Sequence, residues 1–415
     1  MAKYKKILLI TLDFYPNIGG IAEYYFNLSH FTNKLYPDKI SVLAPKINSE
    51  FRRDQKVKKL NFKIYRKNLL FRLPVWPRWL PMFWHIYYVK IARKIDILWA
   101  GEILPTGTVL YFLSRWFNID YIVSCHGMDI LQLENSGYKK KLALRILDQA
   151  IKITVNSNYT RSLLLEWGIK TEKIAVVYPG INSSLFKPEY KNSNYNSFDR
   201  KSLPQIVDNI LKLIEQKTKD GGKPPVMLSL CRLVARKGID NVIQSLPQVW
   251  SRFPELIYII AGDGPDYNRL HELSYKIKSD FFKTNSDKNK QKPNIIFTKA
   301  IGQDSKNVLL SCCDFFVMPA RATKTDVEGF GIVYLEAALY SKPSIAGNSG
   351  GAGEAVLDLN TGLIVDPNNI NYIATAIIKL IQDDSLRCKL GSEARKRALK
   401  QFLWENSVDE FLKLF

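Results

Sequence analysis

The chain has 415 residues, of which 46% are hydrophobic and 24% are charged. These proportions are typical of soluble globular proteins and exclude a fibrous or disordered chain, and the length predicts two or three domains with room for an enzyme. The five cysteines form no C-x-x-C pair, so neither a disulfide framework nor a zinc site is indicated, and a reducing compartment is favoured. No segment approaches the roughly 20 apolar residues of a membrane-spanning helix, and the short apolar run near the start is interpreted as a buried strand, not a secretory signal.

The net charge of +21 is concentrated in the first part of the chain. Residues 1–185 carry 28 basic and 13 acidic side chains, whereas residues 186–415 carry 32 and 26. The segment 52–94 holds thirteen basic residues, a single acid and nine aromatic residues. Basic and aromatic side chains together favour an anionic membrane surface. A solvated charged face over an aromatic core and a single-stranded nucleic acid site remain as alternatives, although no recognised nucleic-acid motif is present and nucleic acid is not the expected partner.

Short apolar segments alternate with amphipathic helical patterns, which predicts parallel sheets covered by helices on both faces. The predicted strands are 6–12, 39–43, 95–99, 121–124, 151–154 and 174–177, then 226–230, 256–261, 295–298, 315–318, 343–346 and 362–364. Two such series predict an α/β protein with two doubly wound, Rossmann-like domains. Ligands of such sheets bind beyond the carboxyl ends of the strands, so the cleft between the domains is the expected active site.

The predicted domains are residues 1–183 and residues 184–398, followed by a helix at 399–415 with apolar residues at helical spacing. Residues 189–223 and 274–293 are rich in Lys, Asn, Ser and Asp and have weaker periodicity. We therefore interpret both segments as surface insertions of the second domain.

Two glutamates, Glu328 and Glu336, are separated by seven residues in a stretch that begins with Gly329 and Gly331. Glycines at this spacing predict a tight turn that opens a helix, with Glu328 in the loop and Glu336 on the helix. Free amides at a helix start attract polar or anionic ligand groups. In isolation the same pattern is also compatible with two solvated acids at an exposed helix start.

In each predicted domain, the loop after the first strand also contains candidate site residues. Gly19 and Gly20 form a strand-to-helix junction without the G-x-G-x-x-G or Walker pattern, where exposed amides could receive a phosphate or a hydroxyl, or where the chain simply turns. Arg232 and Lys237 could grip a diphosphate, the guanidinium as a fork and the ammonium as a point charge. Surface basicity in a basic protein is the alternative for the second loop.

Taken together, these motifs resemble the retaining glycosyltransferases of family 4, which use nucleotide-sugar donors and the two-domain GT-B fold. The resemblance spans nearly the whole chain, and within the family it is most similar to phosphatidylinositol mannosyltransferase-like members. Its motifs are the Gly19-Gly20 loop, Cys-His126-Gly-Met-Asp129, Asn156-Ser-Asn158, Tyr178-Pro-Gly-Ile-Asn182, Arg232 with Lys237-Gly238, Ala261-Gly-Asp263-Gly-Pro265, the pair Glu328 and Glu336, and Gly350-Gly-Ala-Gly-Glu354 followed by Thr361-Gly362.

The resemblance implies a catalytic set consisting of His126, Glu328, Arg232 and Lys237. It implies that Arg232 and Lys237 bind the donor diphosphate, that Glu328 and His126 contact the transferred sugar, and that Glu336 takes the ribose hydroxyls. The remaining donor-site residues that it implies are Gly19, Gly20, Ala300, Ile301, Gly329, Phe330, Gly331, Ile332 and Val333. The final helix would cross back to the first domain.

The implied reaction transfers a hexosyl unit, mannose or glucose, from a GDP- or UDP-sugar to a lipid-linked or polysaccharide acceptor with retention. Fixed cations and positioning would carry the catalysis, because no carboxylate is an obvious covalent nucleophile. The sequence has no D-x-D pair, so we expect no metal and no further cofactor. The expected location is cytoplasmic, peripherally on the inner face of the membrane. The alternatives are a non-catalytic binding protein on the same scaffold and a nucleotide-sugar epimerase.

The segment 320–326 differs from the family pattern because it is longer and more basic than the usual short loop. Because of this difference, the sequence does not determine the local sugar pocket or the choice of donor. Gly350-Gly-Ala-Gly is also an uncommon form of its motif, so Glu354 is not included in the catalytic set.

Overall fold

The structure is a computed structural model, and it describes residues 5–17, 19–47, 60–71, 77–186, 200, 203–284 and 294–415. The chain forms two compact units. The first contains residues 1–180, Lys324–Gly329 and Phe402–Phe415, and the second contains Ile181–Thr323 and Phe330–Gln401. The predicted boundaries at 183/184 and 398/399 stay predictions, and Lys324–Gly329 grouping with the first unit was not anticipated.

The first unit is built on a parallel seven-stranded sheet with the strand order β3-β2-β1-β4-β5-β6-β7. Its strands are β1 (Ile7–Ile10), β2 (Ile40–Pro45), β3 (Ile64–Lys67), β4 (Ile97–Ala100), β5 (Tyr121–Cys125), β6 (Lys152–Val155) and β7 (Ile174–Val176). Both faces of the central strands are buried: alternate residues of β1 point into two separate apolar cores, with Leu8 in one and Leu9 in the other. Parallel strands covered on both sides carry such continuous apolar runs.

Helices of the first unit connect and cover these strands. They are α1 (Gly20–Leu35), α2 (Leu80–Arg93), α3 (Thr108–Phe117), α4 (Met128–Glu134), α5 (Gly137–Gln149) and α6 (Asn158–Glu166). Strand order reverses direction between β1 and β4, so the connections after β1 and β4 leave the sheet at a topological switch point. Ligands of open parallel sheets bind at this point.

The second unit has a parallel six-stranded sheet with the order β10-β9-β8-β11-β12-β13. Its elements are α7 (Gln205–Gly221), β8 (Val226–Leu230), α8 (Ile239–Trp250), β9 (Ile257–Ala261), α9 (Tyr267–Thr284), β10 (Asn294–Lys299), α10 (Gln303–Cys312), β11 (Phe315–Met318), α11 (Ile332–Leu339), β12 (Ser344–Gly347), α12 (Ala352–Ala355), β13 (Gly362–Val365), α13 (Ile370–Gln382) and α14 (Asp384–Gln401). Its main core lies between the sheet and the helices α8 and α13.

The C-terminal segment completes the core of the first unit with a last helix, α15 (Trp404–Leu412). The Trp404 side chain is 2% exposed and packs near Tyr24 and Phe31, and the Phe411 ring centroid lies 4.6 Å from that of Trp99. A Cβ on Gly180 would come within 2.7 Å of the Trp404 backbone, so the chain before the second unit touches this helix directly.

The α/β architecture with two parallel sheets is confirmed, and each predicted strand is present within two residues of its expected bounds. The interpretation of 189–223 and 274–293 as surface insertions of the second domain stays a prediction, and the described parts of both segments are helical. Residues 205–221 form α7, which buries Val207, Ile210, Leu211 and Ile214, and residues 274–284 continue α9. The remaining parts, 189–199, 201–202 and 285–293, lie outside the described residues.

Candidate functional site

His126 lies directly after β5, at the carboxyl edge of the first unit's sheet, and its side chain is buried. The Tyr25 hydroxyl lies 2.5 Å from the Gly101 carbonyl oxygen and 2.6 Å from Nε2 of His126. A carbonyl oxygen can only accept, so Tyr25 donates to Gly101 and the imidazole donates through Nε2. This hydrogen-bond arrangement assigns the proton to Nε2 and leaves Nδ1 as an acceptor.

The imidazole is neutral at physiological pH because burial lowers the pKa of His126 to about 4. Asp129 holds the loop that carries it, since Oδ1 of Asp129 accepts from the backbone N–H groups of His126 at 2.9 Å and Ile130 at 3.1 Å. Burial also raises the pKa of Asp129 to about 6. The histidine is therefore a fixed, uncharged hydrogen-bonding group.

The segment Val327–Gly329 lies against this histidine loop within the first unit. A Cβ on Gly329 would come within 2.5 Å of Nδ2 of Asn156 and 2.7 Å of the His126 carbonyl oxygen. Gly127, with a φ of +96°, would place a Cβ 3.4 Å from the Val327 side chain. Glycine at 329 and at 127 therefore permits this close approach, and Glu328, which is 8% exposed, directly precedes the glycine that packs on the His126 carbonyl.

The loop after β1 carries Gly19 and Gly20, both exposed. A Cβ on Gly20 would have open space around it, so this glycine leaves the start of α1 accessible. The loop is tied to the sheet through Glu102, which follows β4. Oε1 of Glu102 accepts from the Thr11 hydroxyl at 2.6 Å and from the Leu12 backbone N–H at 2.8 Å. Glu102 was not among the residues predicted from the sequence.

In the second unit, Arg232 follows β8 with its side chain exposed. The backbone on either side is fixed, since Cys231 N–H donates to the Ala261 carbonyl at 3.0 Å and Leu233 N–H to the Asp263 carbonyl at 2.9 Å. The glycine-rich loop after β9 allows the backbone around Arg232 to pack this closely. Gly264 would place a Cβ 2.3 Å from the Leu233 carbonyl oxygen, so no larger residue fits there without displacing the arginine loop.

Lys237 ends a short 3-10 turn, Ala235–Lys237, and its side chain is buried. The following residue, Gly238, has a φ of +71° and would bring a Cβ within 2.1 Å of the Pro319 carbonyl oxygen, so the loop after β11 packs tightly on this turn. Arg321 in that loop pairs with the buried carboxylate of Asp240 at 2.8 Å. Part of the unusual basic segment 320–326 is thus an internal anchor and not a free surface.

Gly331 has a φ of +90° and immediately precedes α11, so the predicted turn and helix are confirmed. Glu336 lies on α11 as expected, where its carboxylate accepts from Nζ of Lys306 at 2.5 Å. Phe330 is buried, and the side chains of Ile332 and Val333 are half-buried in the first turn. Ala300 and Ile301 occupy the loop between β10 and α10.

The structure therefore divides the predicted site residues between the two units. Gly19, Gly20, His126, Glu328 and Gly329 belong to the first unit. Arg232, Lys237, Ala300, Ile301, Phe330, Gly331, Ile332, Val333 and Glu336 belong to the second. Their roles stay predictions.

Two sequence families match this chain. The model of "Glycosyltransferase Family 4" matches residues 18–185, and that of "Glycosyl transferases group 1" matches residues 212–397. Together they span most of both units. The chain therefore belongs to the family 4 glycosyltransferases, and it is an enzyme of that class.

Several relatives of this chain are named mannosyltransferases. A GDP-mannose-dependent alpha-(1-6)-phosphatidylinositol monomannoside mannosyltransferase of Mycolicibacterium smegmatis is 28% identical over 406 residues, which is 96% of this chain and 95% of the relative. The human alpha-1,3/1,6-mannosyltransferase ALG2 is 26% identical, over 80% of this chain and 76% of its own. A non-catalytic scaffold and an epimerase receive no support from these comparisons.

Solved structures confirm the GT-B fold. The HepE protein of Anabaena, solved in complex with UDP and glucose, superimposes with a TM-score of 0.71 at 20% identity and covers 99% of both chains. Sucrose-phosphate synthase from Thermosynechococcus elongatus gives a TM-score of 0.73 at 20% identity, over 99% of this chain and 98% of its own. Across the residues that the structure describes, none of the helices combines the length and apolar character needed to traverse a bilayer.

Proposed function

We propose that this protein transfers a mannosyl unit from GDP-mannose to a lipid-linked acceptor with retention at the anomeric carbon. The observation that carries the proposal is the packing of Val327–Gly329 on the backbone of the histidine loop, which brings the segment that carries the buried Glu328 to the loop of a neutral imidazole at the sheet edge. The mycobacterial relative supports GDP-mannose as donor and a phosphoinositide as acceptor, because it aligns along almost its entire length.

In this proposal the second unit binds the donor. Arg232 and Lys237 neutralise the diphosphate, and fixed cations of this kind stabilise the leaving group most when its charge is greatest. Glu336 accepts from the ribose hydroxyls, and its ion pair with Lys306 fixes its orientation. Main-chain groups of Gly329–Val333 contact the sugar and phosphate, and the loop at 300–301 borders the base.

Glu328 and His126 hold the transferred sugar. A neutral imidazole whose Nε2 proton is committed to Tyr25 offers Nδ1 as an acceptor for a sugar hydroxyl. We propose front-face displacement, in which the departing phosphate oxygen removes the proton of the acceptor hydroxyl while the new glycosidic bond forms on the same face. The residues supply orientation and electrostatic stabilisation, not a covalent nucleophile. The absence of a D-x-D pair from the sequence supports transfer without a resident metal ion.

The test is transfer of radiolabelled mannose from GDP-mannose to phosphatidylinositol monomannoside in mixed micelles, with UDP-glucose as the competing donor and EDTA as a separate arm. We expect Glu328→Gln and Arg232→Ala to lower kcat/KM by about 100-fold or more, the loss typical of a removed electrostatic contact in the transition state. Glu272→Gln and Arg252→Ala are matched controls, since both side chains are exposed. Absence of transfer and of donor hydrolysis with every donor would refute the proposal.

We further propose that the enzyme binds the cytoplasmic face of an anionic membrane through α2 and α3. The residues 52–59 and 72–76 of the predicted basic segment lie outside the described residues, and the described part contains a specific surface. Four α2 side chains on one helical stripe are exposed: Leu80 (38%), Trp84 (63%), Tyr88 (71%) and Ile91 (60%). Their spacing of three or four residues places them on the same side of the helix.

This stripe is continuous with the end of α3, where Trp116 and Phe117 are 63% and 46% exposed. The buried Phe83 joins the two helices, with ring centroids 5.6 Å from both Trp84 and Trp116. The exposed cations Arg93 and Arg115 lie on the same two helices, and the exposed Lys94 directly follows α2. Aromatic side chains bordered by cations match the interface of an anionic bilayer.

Cosedimentation with vesicles measures this binding. We expect Trp84→Ser with Trp116→Ser to abolish binding to vesicles that contain phosphatidylglycerol, while wild-type binding weakens as salt rises because the charges are screened. Tyr138→Ser is the matched control, since Tyr138 is 80% exposed on α5 of the same unit. Equal loss in the control, or unchanged binding of the double variant, would exclude this surface.

A further inference from the structure

Tyr25 is a buried residue of α1 that is not among the predicted site residues, although it touches one of them. Its ring meets the imidazole of His126 edge-on, with the centroids 5.3 Å apart and the planes at 84°. Its hydroxyl oxygen lies 2.6 Å from Nε2 of His126. Nδ1 of the same imidazole has no hydrogen bond to any residue that the structure describes. The two ring nitrogens therefore have different surroundings.

The hydrogen of the Tyr25 hydroxyl is committed to the Gly101 carbonyl. The two oxygens are 2.5 Å apart and would repel each other without a hydrogen between them. The carbonyl cannot easily turn away, because Gly101 N–H donates to the Ile10 carbonyl at 2.8 Å and the Gly101 backbone packs closely on Thr11. The hydroxyl therefore has only lone pairs left for the imidazole.

Only one tautomer of His126 fits this arrangement. With the proton on Nε2, the imidazole donates to the Tyr25 oxygen at 2.6 Å. With the proton on Nδ1, two lone pairs would face each other at that distance in a buried place. Such an unmatched polar contact is costly, because no water replaces the lost hydrogen bond.

The position of the hydroxyl is set by the core of the first unit. The Tyr25 ring packs on Trp99 with the centroids 5.4 Å apart, and both side chains have no exposed surface. Trp99 is itself fixed, since its Nε1 donates to Oγ of Ser124 at 2.8 Å and its ring contacts Phe411 of α15. The phenol can therefore neither swing away nor follow the imidazole if the imidazole moves.

We propose that Tyr25 is a positioning residue, which fixes His126 as the Nε2–H tautomer and so presents Nδ1 as a hydrogen-bond acceptor. An acceptor at this point selects a ligand that has a hydroxyl group there, and it disfavours a carbonyl or carboxylate oxygen, which cannot donate. That the hydroxyl belongs to the transferred sugar rests on the proposed function. The tautomer does not.

Nuclear magnetic resonance measures the tautomer directly. Long-range proton–nitrogen spectra of protein labelled with nitrogen-15 histidine show which ring nitrogen carries the proton. His126 is one of four histidines, and His126→Ala assigns its signals. We expect the Nε2–H pattern in the wild type and a shift of the proton toward Nδ1 in Tyr25→Phe. An Nδ1–H pattern in the wild type, or unchanged ring signals in Tyr25→Phe, would overturn the proposal.

Kinetics show whether Tyr25 acts through the imidazole. In the mannose transfer assay, Tyr25→Phe should lower kcat about tenfold, the loss that matches one neutral hydrogen bond, with the acceptor KM unchanged. In a His126→Ala background the same substitution should change kcat by less than about twofold, because the group that it orients is already gone. Equal losses in both backgrounds would refute the role of Tyr25 as a positioning residue for His126.

Tyr24→Phe is the matched control. It removes a neighbouring buried hydroxyl, which donates to the Val177 carbonyl at 3.2 Å and contacts neither ring nitrogen, and it keeps the aromatic ring. Its kcat should stay within about twofold of the wild type. A loss equal to that of Tyr25→Phe would point to general loosening of α1 and contradict the proposal. If the wild type transfers no mannose, the proposed function fails, while the ring spectra still decide the tautomer.

Discussion

Gly329→Ala is the most direct perturbation of the arrangement on which the proposed function depends. The added methyl group would lie 2.7 Å from the His126 carbonyl oxygen and 2.5 Å from Nδ2 of Asn156, whereas ordinary contacts begin at 3.4 Å. The amide of Asn156 can rotate, but the backbone oxygen cannot. The segment Val327–Gly329 must therefore retreat by about 0.7 Å from the histidine loop.

The expected cost in folding is about 1–3 kcal/mol, the range for overpacking a close contact. The expected cost in catalysis is larger, because Glu328 moves with the segment and a displacement near 1 Å can lower a rate about 100-fold. Gly137→Ala is the matched control: it lies at the start of α5 with open space around its Cβ position.

The assay is kcat/KM for mannose transfer together with thermal unfolding by circular dichroism. Because burial holds His126 neutral, the defect should be constant from pH 6 to pH 8 and should not be rescued by acid. A folded Gly329→Ala enzyme with activity within twofold of the wild type would refute the reasoning that close packing on the histidine loop sets the position of Glu328.

Three further predictions concern residues outside the catalytic set. Trp404→Ala should lower the free energy of unfolding by about 3–5 kcal/mol, measured by urea titration, because it removes a buried indole; a loss below about 1 kcal/mol would contradict that packing. Arg321→Ala should cost about 1–3 kcal/mol by leaving Asp240 with its more distant partner, and a double-mutant cycle with Asp240→Asn should reveal coupling, so additive losses would argue against the pair. Lys306→Met should weaken GDP binding about tenfold in calorimetry by freeing Glu336, and unchanged affinity would argue against that role.

Much of the fold could be predicted from the sequence because buried parallel strands carry continuous apolar runs. The strand Val226–Leu230, for example, has the same bounds in the structure as in the prediction. The strand Ile64–Lys67 was missed because half of it is charged, as suits an edge strand with exposed positions. Helix Gln205–Gly221 was missed for a different reason. Its apolar positions have helical spacing, but the surrounding Lys- and Asn-rich composition obscured them.

The site was only partly predictable. Turn glycines such as Gly331 reveal themselves through spacing, since a positive φ before a helix has few alternatives to glycine. Glu102 had no such pattern. Its contact with the loop after β1 consists of hydrogen bonds to Thr11 and Leu12, some ninety residues earlier in the chain. The exposure of Trp116 depends on how its helix packs, which periodicity within one helix does not specify.

The return of the C-terminal segment to the first unit has a consequence for engineering. A fragment that ends at Gly180 would lack α15 and would present the aromatic surface around Trp99 and Tyr24 to solvent, so it should aggregate unless a peptide spanning 402–415 is co-expressed with it. Chimeras that exchange the first unit between relatives must therefore graft three separate stretches of the gene, those encoding residues 1–180, 324–329 and 402–415, to transplant that unit intact.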